Sequence, residues 1–302
     1  MERAYEYSEK IKQPSQNGIS RSEFASITPP ALHKVKTSKI FIINLDRATT
    51  RWEKMREQLE KLGLQYERFS AIDAEGVSDA FLNQYYSAEL NRRKYYVSLS
   101  KSEIACYISH LKVCEKILSD NLDFAIVLED DIELNDSFKL VPYALDSLQS
   151  WNYIKLIAPF KKKKIVSRSF CAEIPATYNI ENRHFDRTSD TQQITQTAKD
   201  ITVPIPFEIV KWRKPPAGTQ AYAITRDGAK EFLAKRSRFF RPIDVDLQFT
   251  WETNLDIQGL FPSFCELTDT PSEISRPKHY HYPLARLIYK FKYATYLLIK
   301  KQ

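Results

Sequence analysis

DFAIVLEDDIEL, residues 123–134, joins five apolar residues to three consecutive acids. An apolar run of this length that contains β-branched residues is typical of a buried strand. Because side chains alternate across an extended strand, Glu129 and Asp131 should point to one side and Asp130 to the other. Carboxylates this close repel one another unless a cation or a basic group lies beside them. The stretch therefore predicts a core strand that ends in a charged site.

The sequence before this stretch alternates between strand patterns and helix patterns. The segments are KIFIINL at 39–45, TTRWEKMREQLEKLG at 49–63, QYERFSAID at 65–73 and a helical stretch at 100–118. The order strand, helix, strand, helix, strand predicts an α/β fold with a mostly parallel sheet flanked by helices. Each helix should begin with a capping box, Thr50 with Glu53 in the first and Ser100 with Glu103 in the second.

The rest of the chain divides into three parts by composition. Residues 1–38 are polar and predict an N-terminal tail, 39–283 a single folded domain, and 284–302 a basic amphipathic helix. Within the domain, 153–158 predicts a short strand and 219–235 a strand leading into a helix. A lysine run follows at 161–164, and the polar stretch 179–200, rich in Thr, Gln and Asp, predicts an exposed insertion or mobile loop.

Composition narrows the classes of partner. The 302 residues are 43% hydrophobic and carry a formal net charge of +7, which favours nucleic acid, sugar nucleotides or anionic membranes as partners. The six glycines form neither GxGxxG nor GxxxxGK[ST], so a nucleotide must be held in another way. Four cysteines without a CxxC pair and an N-terminus without a signal-peptide pattern lead us to expect a reduced, cytoplasmic chain.

The acidic cluster suits a hard cation. Ligands gather at the carboxyl ends of strands in open α/β sheets, where Glu129, Asp130 and Asp131 should lie. Carboxylate oxygens suit Mg²⁺ or Mn²⁺, which also bridge phosphates. The alternative is that the three acids simply begin a solvated loop or cap the next helix.

Several blocks together resemble glycosyltransferase family 25, which includes bacterial lipooligosaccharide galactosyltransferases and the collagen galactosyltransferase domain. The blocks, found between residues 39 and 275, are IFIINLDRATTRW, SKSEIACYISHLKVCEKI with AIVLEDDIEL, GTQAYAITRDGAKEFL and PIDVDL. The resemblance implies a GT-A-like, Rossmann-type fold, a UDP-sugar donor (most often UDP-galactose), Mn²⁺ or Mg²⁺, and inversion at the anomeric carbon.

The resemblance also implies roles for individual residues. Glu129 and Asp131 would hold the metal, and Asp130 would lie at the diphosphate, although the first acid here is Glu where such motifs have Asp. Asp244 or Asp246 would be the general base that activates the acceptor hydroxyl. The alternative for either is a helix N-cap or a surface salt bridge.

Further residues would contact the donor. These are Asn44, Leu45, Arg47 and Arg51 after the first strand, Ser109 and His110 on the second helix, and Gly218 and Tyr222 in GTQAY. Arg51 could equally be an ordinary exposed helix residue, His110 a satisfied polar residue, and Tyr222 a core residue. His279 or His281 could add an imidazole to the metal.

The C-terminal segment separates its charged and apolar residues when drawn as a helix. Its basic residues are Arg286, Lys290, Lys300 and Lys301, and its apolar residues are Leu284, Leu287, Ile288, Phe291, Leu298 and Ile299. This pattern suits peripheral contact with the cytoplasmic face of an inner membrane, where a lipid-linked saccharide acceptor would be found. The alternative is a terminal helix packed on its own domain.

The leading hypothesis is thus an inverting, metal-dependent hexosyltransferase, with a saccharide acceptor in lipooligosaccharide or lipopolysaccharide biosynthesis. A nucleic-acid-binding module is a second hypothesis that the basic charge suggests, but the 13% aromatic residues are scattered and no RNA-binding or zinc-finger signature is present, so no nucleic-acid partner is expected. A glycoside hydrolase with paired carboxylates is a third.

Overall fold

The computed structural model describes residues 36–157, 165–174, 205–236, 238–268 and 282–299. Nearly all of the predicted N-terminal tail therefore lies outside the described residues. So do the lysine run 161–164, the predicted loop at 179–200, His279 and His281, and Lys300 and Lys301.

The predicted strands and helices up to residue 129 are present in order, and two short helices that the sequence did not predict lie between residues 79 and 94. The strands are β1 (Ser38–Asn44), β2 (Glu67–Ser70), β3 (Phe124–Glu129), β4 (Ile132–Leu134), β5 (Tyr153–Lys155), β6 (Ile165–Ile174), β7 (Ile205–Trp212), β8 (Ala221–Thr225), β9 (Ile257–Phe261) and β10 (Cys265–Leu267). The helices are α1 (Thr49–Lys61), α2 (Asp79–Tyr85), α3 (Ala88–Lys94), α4 (Lys101–Ser119), α5 (Val141–Ser147), α6 (Arg226–Lys235), α7 (Ile243–Asp246) and α8 (Pro283–Ile299).

Eight of the described strands form one sheet in the order β2-β1-β3-β8-β5-β9-β7-β6. Six of them run in one direction, and β8 and β7 run against them. The predicted α/β fold with a mostly parallel sheet is confirmed. The antiparallel β8 pairs with β3 on one side and β5 on the other, so it brings the GTQAY block beside the strand that ends in the acids.

Each face of the sheet is covered by helices. Ile40 and Ile42 of β1 pack into one apolar cluster with Met55 and Leu59 of α1, and α5 joins the same cluster. The alternate residue Phe41 packs into a second cluster with α4 and α6 on the opposite face. This alternation is why continuous apolar strands and two-sided helical cover occur together.

The two predicted helix starts have different outcomes. Ser100 and Glu103 form the predicted capping box of α4, with each side chain accepting from the other's backbone N–H. The box predicted at Thr50 is wrong, because α1 already includes Thr49 and its N-cap is Ala48, two residues before Thr50, which offers no side-chain acceptor. The N-terminal N–H groups of α1 are therefore not capped by a side chain.

The strand order places a crevice at the carboxyl ends of three parallel strands. β1 lies between β2 and β3, and Ile43 is in register with Glu129. The chain leaves β1 for β2 by α1 on one face and returns to β3 by α4 on the other, so the connections diverge above β1. Such a divergence is where open α/β sheets bind ligands.

Candidate active site

A cleft of about 110 Å³ lies at these strand ends. It is too small to enclose a whole nucleotide sugar, because pockets for ligands of comparable size usually have volumes of about 300 Å³ or more. Eight predicted site residues line it: Leu45, Arg47, Arg51, Ser109, His110, Glu129, Asp130 and Asp131. Ala71, Ile72, Asp73 and Ala74, which follow β2, complete one side. The acids that end β3 therefore face a concave site rather than begin a fully solvated loop.

Asp130 lies on the α1 side of the cleft. Asn44 Nδ2 donates to Asp130 Oδ2 at 2.6 Å, and Arg51 NH1 lies 3.2 Å from Asp130 Oδ1. Asn44 is itself fixed, because Arg68 donates to Asn44 Oδ1 and Asn44 Nδ2 also donates to the Ala48 carbonyl. Burial raises the pKa of Asp130, and the contacts with Asn44 and Arg51 only partly oppose that. Asn44 thus lies behind the acid and positions it.

Glu129 lies on the opposite side, between β8 and α4. Thr219 Oγ1 donates to Glu129 Oε1 at 2.6 Å, and His110 Nε2 lies 3.4 Å from the same oxygen. Burial by itself would raise the pKa of Glu129, but the His110 and Thr219 contacts outweigh it and lower the pKa. Glu129 is therefore held in its ionised form. Asp130 and Glu129 have separate sets of partners, as strand alternation predicts.

Asp131 has one carboxylate oxygen without a partner among the described residues. Its Oδ1 is buried and has no hydrogen-bond partner. Burial raises its pKa to about 6, with repulsion from Glu129 and Asp130 adding to the shift. A buried carboxylate oxygen with no donor is costly, and a bound cation would relieve both the lost hydrogen bond and the repulsion.

The donor set fits a magnesium-type ion. The described residues contain no group of three or more His, Cys, Asp or Glu side chains arranged to hold a metal. Mg²⁺, however, is usually bound by only one or two carboxylates together with waters and substrate phosphates. Asp131 with one neighbouring acid offers such a partial site beside the cleft.

Two arginines and an uncapped helix N-terminus lie at the α1 end of the cleft. Arg47 Nε contacts Asp73 Oδ2 at 2.9 Å across the cleft, and Arg51 is largely buried beside Asp130. α1 has no side-chain cap and no acid in its first turn. An uncapped helix N-terminus flanked by arginines suits an anionic group such as a phosphate.

The Ser109 hydroxyl and the Nδ1 atom of His110 have hydrogen-bond partners, whereas the buried Nε2 atom of His110 has none among the described residues and only lies near Glu129. Ser109 Oγ accepts from the Ile72 N–H and donates to the Ala105 carbonyl, both at 2.9 Å, so it ties α4 to the segment after β2. His110 Nδ1 lies 2.9 Å from the Tyr222 hydroxyl, and its ring is almost fully buried. His110 therefore connects Tyr222 to Glu129.

Tyr222 and Gly218 lie behind the cleft rather than in it. The Tyr222 ring is buried and stacks on Tyr153 with ring centroids 4.8 Å apart. Tyr222 is therefore a core residue, the alternative considered above, and its ring is not exposed for stacking on a sugar. Gly218 has φ of +98°, and its carbonyl accepts from Lys155 Nζ. Only glycine adopts this backbone conformation readily.

Lys155 is a site residue that the sequence analysis missed. It is 2% exposed on β5, and burial lowers its pKa to about 8, although Asp244 and Glu129 pull in the opposite direction. Its charge therefore interacts with both predicted acidic blocks, the one at residues 129–131 and the one at residues 244–246. The only signal in the sequence was a lysine inside the strand pattern at 153–158. Thr219, which donates to Glu129, was likewise missed inside the GTQAY block.

Asp246 is buried among hydrogen-bond donors from the core of the domain. It is 2% exposed and accepts hydrogen bonds from Arg236, Arg241 and the Tyr107 hydroxyl. Burial, and then the Asp246 charge, raises the pKa of the Tyr107 phenol, which therefore stays a donor. A carboxylate that is 2% exposed and already accepts from three donors is not accessible to an acceptor hydroxyl. The alternative predicted for Asp246 is a surface salt bridge. The salt bridge is present, but it is buried in the core.

Asp244 differs from Asp246 although only two residues separate them. Asp244 is partly exposed, and its Oδ1 accepts from the Val245 N–H at 2.8 Å. It interacts electrostatically with Lys155, which also interacts with Glu129. Neither Asp244 nor Asp246 lines the cleft formed at the strand ends, and of the two Asp244 is the one that remains accessible.

The chain is similar to known proteins of one family. Residues 37–247 match the family described as "Glycosyltransferase family 25 (LPS biosynthesis protein)". A "Glycosyltransferase 25 family member" of Aedes aegypti is 34% identical over 113 residues, which are 35% of this chain and 18% of that protein. "Procollagen galactosyltransferase 2" of Mus musculus is 29% identical over 121 residues, 39% of this chain and 19% of that protein.

A third relative limits what the likeness implies. "Inactive glycosyltransferase 25 family member 3" of Mus musculus is 26% identical over 151 residues, 45% of this chain and 24% of that protein. The chain thus spans about a fifth to a quarter of the length of these curated relatives. Activity must therefore be argued from the residues of the site.

Proposed function

Because this chain belongs to glycosyltransferase family 25, we propose that it transfers a hexose from a UDP-sugar to a hydroxyl group of a saccharide acceptor, with inversion at the anomeric carbon. The observation that carries the proposal is the cleft lined by Glu129, Asp130 and Asp131, in which Asp131 Oδ1 is buried and without a hydrogen-bond partner. Such a site needs a cation, and a nucleotide diphosphate brings phosphate oxygens to share it.

The residues of the cleft divide the work of binding the donor. Asp131 with Glu129 or Asp130 would hold Mn²⁺ or Mg²⁺, which when bound neutralises the charge that grows on the departing diphosphate. Arg47, Arg51 and the uncapped N-terminus of α1 would contact the diphosphate directly. Asn44 and Thr219 fix the neighbouring acids, so that the site is arranged before the donor arrives.

The chemical step is a single displacement. The acceptor oxygen attacks the anomeric carbon as the bond from that carbon to the diphosphate oxygen breaks, and UDP leaves with the bonding electrons. The acceptor proton passes to a general base. Asp244 is the proposed base because it is partly exposed and shares Lys155 with Glu129, whereas the oxygens of Asp246 already accept from two arginines.

Donor and acceptor are narrower proposals. Galactose is proposed as the sugar because one relative is named a procollagen galactosyltransferase, and the acceptor as a lipid-linked saccharide because the family description names LPS biosynthesis. The active site itself favours a UDP-sugar only through its anion-binding groups and its acids.

The direct test is hydrolysis of UDP-sugars without acceptor, with Mn²⁺ present or with EDTA. We expect UDP release to be greatest with UDP-galactose, to require the metal, and to be lost in Asp131→Asn. The matched control is Asp136→Asn, which changes an acid five positions further along whose side chain is 79% exposed.

The alternatives give different results in the same material. Metal-independent release of sugar from an oligosaccharide, with no response to UDP-sugars, would replace the proposal by a hydrolase. Salt-sensitive binding of random oligonucleotides without any UDP response would replace it by a nucleic-acid-binding module. Full UDP release by Asp131→Asn would remove the acidic cluster from the reaction.

A further inference from the structure

The C-terminal helix α8 has two apolar faces, and one of them is packed on the domain. Its Tyr289 ring lies 5.7 Å from Tyr95 and 5.3 Å from Phe249, measured between centroids. Tyr296 stacks on Trp251 at 3.7 Å, and Ala285 and Tyr293 on the same face are buried. The predicted alternative, packing of the helix on its own domain, therefore describes this face.

The second face is exposed. Leu284, Leu287, Ile288 and Phe291 have exposed fractions of 70%, 67%, 42% and 73%. At 3.6 residues per turn these four positions fall within an arc of about 100°. Among the described residues, only Trp251 and Leu267 are other large hydrophobic side chains with comparable exposure. Four exposed apolar side chains on one short arc form a patch rather than a scatter, and such patches mark binding surfaces.

Lysines border this patch on both sides. On a helical projection Lys290 lies beyond Leu287, Lys292 lies beyond Ile288, and both are exposed. Residues 283–302 contain no acid. α3, which packs against α8, ends in three exposed basic residues, Arg92, Arg93 and Lys94. Apolar side chains between cations are the arrangement of helices that lie in a membrane interface.

We propose that the face of α8 formed by Leu284, Leu287, Ile288 and Phe291 binds the surface of an anionic lipid bilayer. The helix would lie in the plane of the interface, with its tyrosine face still packed on the domain. Trp251, which is 37% exposed and stacks on Tyr296, lies beside the helix and suits the headgroup layer. Across the described residues, no helix combines the length and apolarity that a membrane span requires.

Charge decides between a lipid surface and a second copy of the chain. Two copies paired through this face would bring Lys290 and Lys292 of both helices together with no acid on either helix to oppose them. An anionic leaflet neutralises the same lysines while the apolar side chains insert. The inference rests on this face alone and holds whether or not the proposed transfer reaction is correct.

The test is co-sedimentation of the full chain with vesicles of phosphatidylglycerol and phosphatidylcholine, and with phosphatidylcholine alone. We expect binding to the anionic vesicles that weakens with salt. Leu287→Ser combined with Phe291→Ser should lower the partition coefficient at least about tenfold, since each lost side chain removes buried apolar area. Leu267→Ser, at an exposed leucine on β10, is the matched control and should bind as the parent does.

A second pair of variants tests the charge separately. Lys290→Ala with Lys292→Ala should reduce binding to anionic vesicles about tenfold and leave binding to neutral vesicles unchanged. Lys54→Ala with Lys235→Ala removes the same charge from exposed positions on α1 and α6 and should have little effect. Equal binding by the Leu287/Phe291 and Leu267 variants would overturn the proposal. So would concentration-dependent self-association that the Leu287/Phe291 changes abolish in the absence of vesicles.

Discussion

Asp244 and Asp246 stand two residues apart on one short helix, and we expect their amide variants to fail in opposite ways. Asp246 is buried between Arg236 and Arg241 and accepts from Tyr107. Asp246→Asn keeps the shape but leaves two buried guanidinium groups with less opposing charge. Removing one partner of a buried ion pair costs about 3–5 kcal/mol. We expect the lower end, about 3 kcal/mol, because Glu252 still contacts both arginines.

Urea unfolding followed by fluorescence measures this loss directly. A loss of about 3 kcal/mol should also lower the melting temperature by roughly 5 °C in a domain of this size. Asp244→Asn should change the free energy of unfolding by less than about 0.5 kcal/mol, because the side chain is partly exposed and the amide oxygen can still accept from Val245. Its turnover should fall at least about 100-fold, as expected on loss of a general base.

Comparing the two variants tests both claims, the structural role of Asp246 and the catalytic role of Asp244. If Asp246→Asn is as stable as the parent, the arginine cluster does not hold this segment together. If Asp244→Asn retains full turnover, the general base is another residue. If Asp244→Asn loses stability as well as activity, the two acids do not have the separate roles that their environments indicate.

Three further predictions concern the cleft and its support. In EDTA, Asp131→Asn should stabilise the protein by about 2 kcal/mol at pH 7.5, because the folded pKa of about 6 is above the ordinary 3.8 and ionisation is therefore costly above pH 6. The gain should disappear in urea titrations near pH 3, below the ordinary pKa of 3.8, where the folded and unfolded carboxyls are both mostly protonated. A gain that does not change with pH would contradict the repulsion described at this acid. Lys155→Met should lower kcat in the UDP-release assay while the protein stays folded by circular dichroism, because the Gly218 carbonyl loses its donor and Glu129 loses a nearby cation; unchanged kcat would show that Lys155 only fills space. Gly218→Ala should cost about 1–2 kcal/mol in urea unfolding, because φ is +98° and the new Cβ would collide with the Gln220 side chain. Gly76→Ala is its control, since a Cβ there meets nothing closer than 3.8 Å, and equal costs at the two positions would contradict the argument from φ.

Local sequence patterns predicted most of the elements around the site. The apolar runs that became β1 and β3 and the helical spacing of α4 are local signals, and the Ser100–Glu103 box marked a helix start correctly. Thr50 with Glu53 carries the same pattern and failed, because capping depends on which residue leaves helical geometry first. The acids of residues 129–131 were predicted to lie at a ligand site because open α/β sheets bind ligands at the carboxyl ends of their strands, and they do line the cleft.

Long-range pairings account for what the sequence left open. Tyr222 is buried because β8 inserts antiparallel between β3 and β5, an arrangement that joins segments about a hundred residues apart. Lys155 reaches Gly218 through the same insertion. Asp246 and Asp244 belong to one motif, and only the folded positions of Arg236 and Arg241 distinguish them. Motif spacing specifies residue types, whereas burial and partners come from the packed sheet.

The packing of Phe249 bears on how the protein should be produced. The Arg241 guanidinium carbon lies 3.7 Å from the centroid of the Phe249 ring. The same ring also packs against Tyr289 and Tyr293 of α8. Shortening the gene before Pro283 to obtain a better-behaved sample would strip that aromatic cover and admit water toward Arg241. Serine substitutions at the exposed Leu284 and Leu287, or a mild detergent during purification, would reduce nonspecific association through the apolar face and leave the helix in place.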